Sequence, residues 1–222
     1  MKTILIISVI SMFALVGCVP PHMSKQEFAP KVYAEHPISI VVLPPSNKST
    51  AADAKDYYLT TIAEPLTNTG YYVFPIEVIT DILKQEGLSD VETMYKIPPQ
   101  KFAEFFGADA VLYVSILKWN TGYYVVAGNV TVQIECELKS TRTGESLWYY
   151  NEESVVNTTD NSGSGGLLGL IVTAIKTAAT DYVPIAREVN KKIMTALPYG
   201  KYHKSFNQDG QEMVLVKTKA KR

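Results

Sequence analysis

The stretch Asp160-Asn161-Ser162-Gly163-Ser164-Gly165-Gly166 comes nearest to a chemical motif. A phosphate cradle needs Gly-x-x-x-x-Gly-Lys-Ser/Thr after a strand, so that amides and a lysine converge on the phosphate oxygens. Leu167 and Leu168 stand where the lysine and hydroxyl belong. A calcium loop would use Asp160, Ser162 and Ser164 as oxygen ligands, yet Ile171 replaces the bidentate glutamate it requires at its twelfth position. A nucleophile elbow on Ser164 lacks its first glycine, because Ser162 stands there. The loop is therefore read as a hinge, with Gly163, Gly165 and Gly166 as an interaction loop. His22, His36 and His203 have no Cys, His or carboxylate at metal-ligand spacing, so no metal or other cofactor is expected. Asp53, Asp56, Glu64, Asp109, Glu135 and Glu137 could pair in space, which their positions in the sequence do not show. Glu135 and Glu137 sit two apart on one strand face, where a solvated surface is the simpler reading. No catalytic residue is assigned.

The other residue with a chemistry of its own is Cys18. Lys2 precedes an apolar run from Ile4 to Val16, which is shorter than the about 20 residues a membrane-spanning helix needs. The run ends Leu15-Val16-Gly17-Cys18, which resembles the lipobox of bacterial lipoproteins. That resemblance implies a signal peptide over 1–17, removed when Cys18 is acylated with palmitate-type chains and becomes the new N-terminus. Each buried methylene contributes about 0.8 kcal/mol, so several chains hold a protein where one cannot. Val19 stands where an aspartate marks inner-membrane retention in this lipoprotein class, so the resemblance also implies the outer membrane. With Cys18 acylated, Cys136 is the one remaining thiol, and it falls on the apolar side of an alternating strand. Packing is its expected role.

These residues must be carried by a chain of 222 residues that is 46% hydrophobic and 19% charged, enough for one packed domain. The 21 basic residues balance 22 acidic ones to a formal charge of -1, which excludes an overall basic field for nucleic acid. Residues 18–36, with Pro20, Pro21 and Pro30, read as a lipidated N-terminus and tether, and 37–197 as the domain. Ile38 to Leu43 predicts a strand buried on both faces, followed by a helix over Ala54 to Asn68 that stops at Gly70. Tyr71 to Phe74 predicts a strand, Ile76 to Gly87 a helix, and Pro99 to Phe106 a helix with Phe102, Phe105 and Phe106 turned inward. Ala110 to Leu117 and Tyr123 to Gly128 read as strands. From Val130 to Lys139 strict alternation predicts an antiparallel strand, turned at Ser140 to Gly144 and partnered by Glu145 to Val156. Leu167 to Ala179 is either a buried helix or a surface offered to a partner. Val183 to Leu197 predicts a helix, and 198–222 a tail ending in a mobile basic stretch. The expected class is α/β (α+β): a mixed sheet with a β-α-β-α start, an antiparallel meander, and C-terminal helices packed on the sheet.

Four tyrosine doublets (57–58, 71–72, 123–124 and 149–150) suggest one ring inward and one outward at each. Exposed tyrosines suit protein contacts, and capping a twisted sheet explains them equally well. The segments Ser39 to Ser49, Gly70 to Pro75, Phe106 to Tyr113, Thr143-Gly144 with Leu147-Trp148, and Gly165-Gly166-Leu167 together resemble an uncharacterised family of bacterial lipoproteins. That family is similar in turn to the curli-secretion lipoprotein CsgG, the N-terminal domain of TolB and the cell-wall-synthase activator lipoproteins. The resemblance implies an envelope accessory in assembly, secretion or transport, lipid-anchored to the outer membrane and facing the periplasm, with surface exposure left open. It carries over no catalytic residue. Its expected partners are the membrane, other envelope proteins or lipoproteins, and further copies of the chain. A small-ligand-binding lipoprotein is the alternative, and a carboxylate-based hydrolase the more distant one. No pore is expected, because the strands from Ala110 to Leu138 lack a long outward apolar girdle.

Overall fold

The β-branched run at the start of the domain forms the central parallel strand of a mixed sheet. The computed structural model describes residues 22–124, 127–157 and 182–216. In chain order their elements are β1 (His22–Ser24), α1 (Lys25–Phe28), α2 (Pro30–Glu35), β2 (Ser39–Val42), β3 (Ser46–Asn47), α3 (Ala54–Asn68), β4 (Tyr72–Val73), α4 (Ile76–Gln85), α5 (Val91–Met94) and α6 (Pro99–Phe106). They continue with β5 (Ala110–Tyr124), β6 (Ala127–Ser140), β7 (Ser146–Asn157), α7 (Val183–Met194) and β8 (Met213–Leu215). The main sheet runs β4-β2-β5-β6-β7, with β3 also on β5. Its first pairings are parallel, and β5-β6-β7 form the antiparallel meander. The expected mixed α/β architecture is the one observed.

Two apolar layers hold it together. On one face Ile40, Leu112, Val132, Ile134 and Cys136 meet Tyr58, Ile62 and Leu66 of α3 and Ile185, Val189 and Ile193 of α7. On the other, Val41, Leu43 and Val111 meet Ile79 and Leu83 of α4, Met94 of α5 and Phe102 of α6. Each fully buried aliphatic side chain contributes about 1.5–3 kcal/mol. The second layer covers only the parallel end, so beyond it the meander keeps one face open, as its alternation of apolar and charged residues requires. Where Pro44 and Pro45 cannot donate, the Tyr95 hydroxyl fills the seam. It donates to the Val114 carbonyl at 2.6 Å and accepts from the Val114 amide at 3.0 Å and the Ser46 amide at 3.3 Å.

Three expectations need correction. Residues 22–36 are not a tether: Ala29 and Val32 are buried in the core, and Lys25 is 2% exposed. Ser24 and Glu27 form a reciprocal capping box on α1, and Pro30 opens α2. These polar and proline residues are helix-start signals rather than linker composition. The chain after Leu197 is likewise packed through Leu215. Tyr71 donates to the Pro198 carbonyl at 2.7 Å, and the Gly200 amide bonds the Thr69 carbonyl at 2.8 Å. Gly70 has φ +90°, and a Cβ there would strike the backbone of His203. Finally, Phe105 points outward, 62% exposed, because Phe102 and Phe106 share the face four residues apart while Phe105 lies round the helix. The basic stretch 217–222 lies outside the described residues.

Candidate functional site

The site is built by a fault in a strand. Along β5, Ala110, Leu112, Val114 and Ile116 face the core. The register with β6 slips between Ile116 and Lys118, and the extra residue inverts the phase of everything beyond it. Lys118 therefore faces water, where its ammonium meets Glu153 at 2.7 Å, and Trp119 turns in, 2% exposed. The same point ends the parallel pairing, since β3 reaches β5 only at Ser115 and Ile116. From Lys118 to Tyr124 the strand pairs with β6 on one side, and among the described residues no strand pairs with its other edge.

Beside that edge an aromatic cluster lines a cavity of about 400 Å³. Tyr57 of α3 stacks on Trp119 at 6.2 Å between ring centroids. Tyr182, which precedes α7, meets both edge-on, at 5.8 Å from Tyr57 and 6.3 Å from Trp119. Thr50, Asp53 and Asn120 complete the wall. The loop carrying Thr50 is set by Asn47, whose side chain accepts from the Ser49 amide at 3.0 Å and donates to the Ala51 carbonyl at 2.7 Å. The indole Nε1 of Trp119 is buried and has no hydrogen-bond partner among the described residues. An unmet buried donor costs about 1–3 kcal/mol, so it is a fixed polar feature that an acceptor could satisfy.

Of the acids, histidines, cysteines and glycines named from sequence, Asp53 alone among the described ones lines this cavity. Leu15, Val16, Gly17 and Cys18 lie outside the described residues, as do Gly163, Gly165, Gly166 and the apolar run 167–179. Asp109 accepts from the amides of Ile38 and Ser39 at 3.0 and 2.9 Å, tying β2 to β5. Glu135 accepts from Tyr149 at 2.7 Å, Glu137 lies 3.6 Å from Lys139, and Glu64 lies 3.4 Å from Arg187. Asp53 is on the cavity wall, whereas Asp56 lines a second groove of about 200 Å³ with Pro44, Lys55 and Lys84. His22 sits in β1, His36 caps α2 with φ 47°, and His203 stacks on Tyr199 at 3.7 Å. Among the described residues no three His, Cys, Asp or Glu side chains gather to hold a metal. Cys136 is buried beside Tyr58, whose oxygen is 3.5 Å from its sulfur. Burial pushes the Cys136 thiol up to about 12 and raises the Tyr58 hydroxyl well above its ordinary range. Sequence reasoning missed Trp119. Its signal was the break in alternation at Leu117-Lys118, which reads as a strand end until the pairing shows a bulge.

Comparisons with known proteins agree with this architecture. Residues 30–198 match the family described as "Putative lipoprotein GNA1162-like". A relative from Neisseria meningitidis serogroup B, "Putative lipoprotein NMB1124/NMB1162", is 34% identical over 139 residues, or 63% of this chain. That match spans 64% of the relative's own length. The crystal structure of lipoprotein GNA1162 from Neisseria meningitidis aligns at a TM-score of 0.52 with 33% identity, over 64% of this chain and 98% of that one. The PelC dodecamer from Paraburkholderia phytofirmans aligns at 0.46 with 17% identity, over 73% and 90%. With the family match running from α2 through α7, over most of the chain, the chain belongs to the GNA1162-like lipoprotein family.

Proposed function

We propose that this lipoprotein is held to the outer membrane by acyl chains on Cys18 and serves assembly, secretion or transport by contacting other envelope proteins. The observation that carries this reading is the outer edge of β5, which no strand among the described residues pairs, beside the Tyr57–Trp119–Tyr182 cavity. An extended segment of a partner adds to such an edge through backbone hydrogen bonds, and a neighbouring pocket selects its side chains. Trp119 lines that pocket, and its buried indole Nε1 is a donor without a partner among the described residues. In this reading the chain is not an enzyme, and its surface acids serve solubility and the hydrogen bonds described above. The partner is another envelope protein or a further copy of the chain.

A photo-crosslinking side chain at Asn120, in the producing cell, tests the contact. The expected result is an adduct of defined mass that is absent when the probe sits at Val78 on α4 and is lost on Trp119→Ala. An adduct of twice the chain mass makes the partner a second copy. Monomer alone at both positions contradicts the reading. The cavity also favours a second reading, a small-ligand lipoprotein. A small molecule retained by the purified chain in native mass spectrometry, and lost on Trp119→Ala without any protein adduct, would select it.

A further inference from the structure

The parallel part of the sheet reverses direction around β2. From β2 the chain crosses to β4 through α3, and from β4 it returns past β2 to β5 through α4, α5 and α6. Right-handed crossovers that run in opposite directions lie on opposite faces of a sheet. Tyr58, Ile62 and Leu66 of α3 accordingly pack in the layer on one face, and Ile79 and Leu83 of α4 in the layer on the other. The two connections diverge at the carboxyl ends of β2 and β4. Such a divergence leaves a crevice, and open α/β sheets take their ligands there.

The second groove, of about 200 Å³, occupies this crevice. Pro44, just beyond β2, lines it together with Leu59 from the first apolar layer and Met94 from the second. Lys55 in the first turn of α3 and Lys84 in the last turn of α4 line it as well. Among the described residues Lys55 is in no ion pair, and Lys84 has only Asp81 at 3.9 Å. Those two side chains are 55% and 69% exposed, so water screens the contact and both ammonium groups remain available. Asp56 is the one acid among the lining residues, so two ammonium groups less one carboxylate leave a net charge of +1. The volume equals that of about seven water molecules at about 30 Å³ each, which fits a molecule the size of one amino acid.

We propose that this crevice binds a small organic monocarboxylate with an apolar body. The ammonium groups of Lys55 and Lys84 receive the carboxylate through charge-assisted hydrogen bonds, and Pro44, Leu59 and Met94 receive the hydrocarbon. One negative charge answers the net positive charge of the lining. A phosphate brings about -1.5 to -2 and has no hydrocarbon to cover the apolar wall. A neutral ligand leaves both ammonium groups unanswered. The site shares no lining residue with the Trp119 cavity, and its occupant is a free small molecule rather than the partner segment assigned to the edge of β5.

The test uses the full-length protein purified from membranes in a deuterated nonionic detergent, with 4-methylpentanoate as the probe and saturation-transfer NMR as the readout. The expected result is saturable binding that is about tenfold or more weaker for 4-methylpentanamide, which keeps the hydrocarbon and lacks the charge. Acetate, which keeps the charge and lacks the hydrocarbon, should weaken by a similar factor. K55Q/K84Q should weaken 4-methylpentanoate about tenfold or more and leave the amide unchanged. Lys96→Gln, at an exposed lysine outside the lining, should change neither. Ser89→Trp, at an exposed lining position where a large ring is tolerated by the fold, should block both. No saturable binding, equal affinity for acid and amide, or an equal loss in Lys96→Gln would overturn the proposal. Binding that survives Ser89→Trp would overturn the assignment to this groove. No variant touches Cys18 or the Trp119 cavity, so failure here leaves the contact at β5 standing.

Discussion

The ammonium of Lys25 lies 3.1 Å from the carboxylate of Asp209, and both side chains are withdrawn from water, at 2% and 0% exposure. The Tyr199 ring covers the ammonium at 4.1 Å from its centroid, and the Tyr33 hydroxyl donates to Asp209 at 3.0 Å. One charge pair thus joins the first helix to the last turns of the fold, 184 residues away. Removing one member strands the other in a dry site, which costs about 3–5 kcal/mol. Lys25→Met should lower the urea unfolding free energy by about that much. A change within about 1 kcal/mol would mean the pair is not buried in solution.

Gly70 and Gly200 meet back to back, with Gly200 donating to Thr69 and Tyr202 donating to the Gly70 carbonyl. A left-handed backbone costs a non-glycine residue about 1–2 kcal/mol before any clash is counted. Since a Cβ on Gly70 also meets His203, Gly70→Ala should destabilise by about 2 kcal/mol or more and lower Tm by several degrees. Gly87, whose added Cβ meets nothing within 4 Å, should lose less on the same change because only the backbone cost remains.

The buried thiol and tyrosines predict a one-sided pH response. Burial raises Cys136 from 9.0 to about 12, and burial beside the Glu137 charge raises Tyr113 from 10.0 to about 12. The folded chain thus keeps protons that the unfolded chain releases. This stabilisation is complete below pH 9 and is lost as pH climbs toward 12. The urea midpoint should hold level near neutrality and fall above about pH 9. Thiol reagents at pH 8 should leave Cys136 unmodified until urea unfolds the chain. Ready labelling of the native protein would contradict its burial.

Trp119→Phe removes the orphaned indole donor and keeps an aromatic ring against Tyr57 and Tyr182. The lost apolar area and the relieved desolvation penalty oppose each other, so stability should change by about 1 kcal/mol or less. Crosslinking from Asn120 should nonetheless weaken several-fold if a partner acceptor uses that donor. Large destabilisation with unchanged crosslinking would make Trp119 a packing residue alone.

Local signals were legible where one element determined its own limits. Helix α3 begins and ends where its apolar spacing and Gly70 place it, and α6 is opened by Pro99 and closed by Gly107 at φ 68°. The meander declared itself through alternation from Val130 to Lys139. What escaped depended on distant partners. Ala110 to Leu117 and Tyr123 to Gly128 read as separate strands, yet pairing with β6 makes Ala110–Tyr124 one long strand and puts Gly128 in β6. Pro20, Pro21 and Pro30 suggested a linker, and only the pairing of His22 with Leu215 shows that the chain from His22 onward belongs to the body. The burial of Lys25 has no local signal, because its two acids come from the other end of the chain. The Trp119 cavity was hidden for the same reason: its three rings come from α3, β5 and the approach to α7.

Mass spectrometry of the intact protein extracted from membranes bears most directly on the anchored reading. The account predicts a mature chain whose first residue is Cys18, carrying the added mass of a diacylglyceryl group and an amide-linked acyl chain. A mature chain that starts at another residue, or a Cys18 without acyl mass, would contradict it.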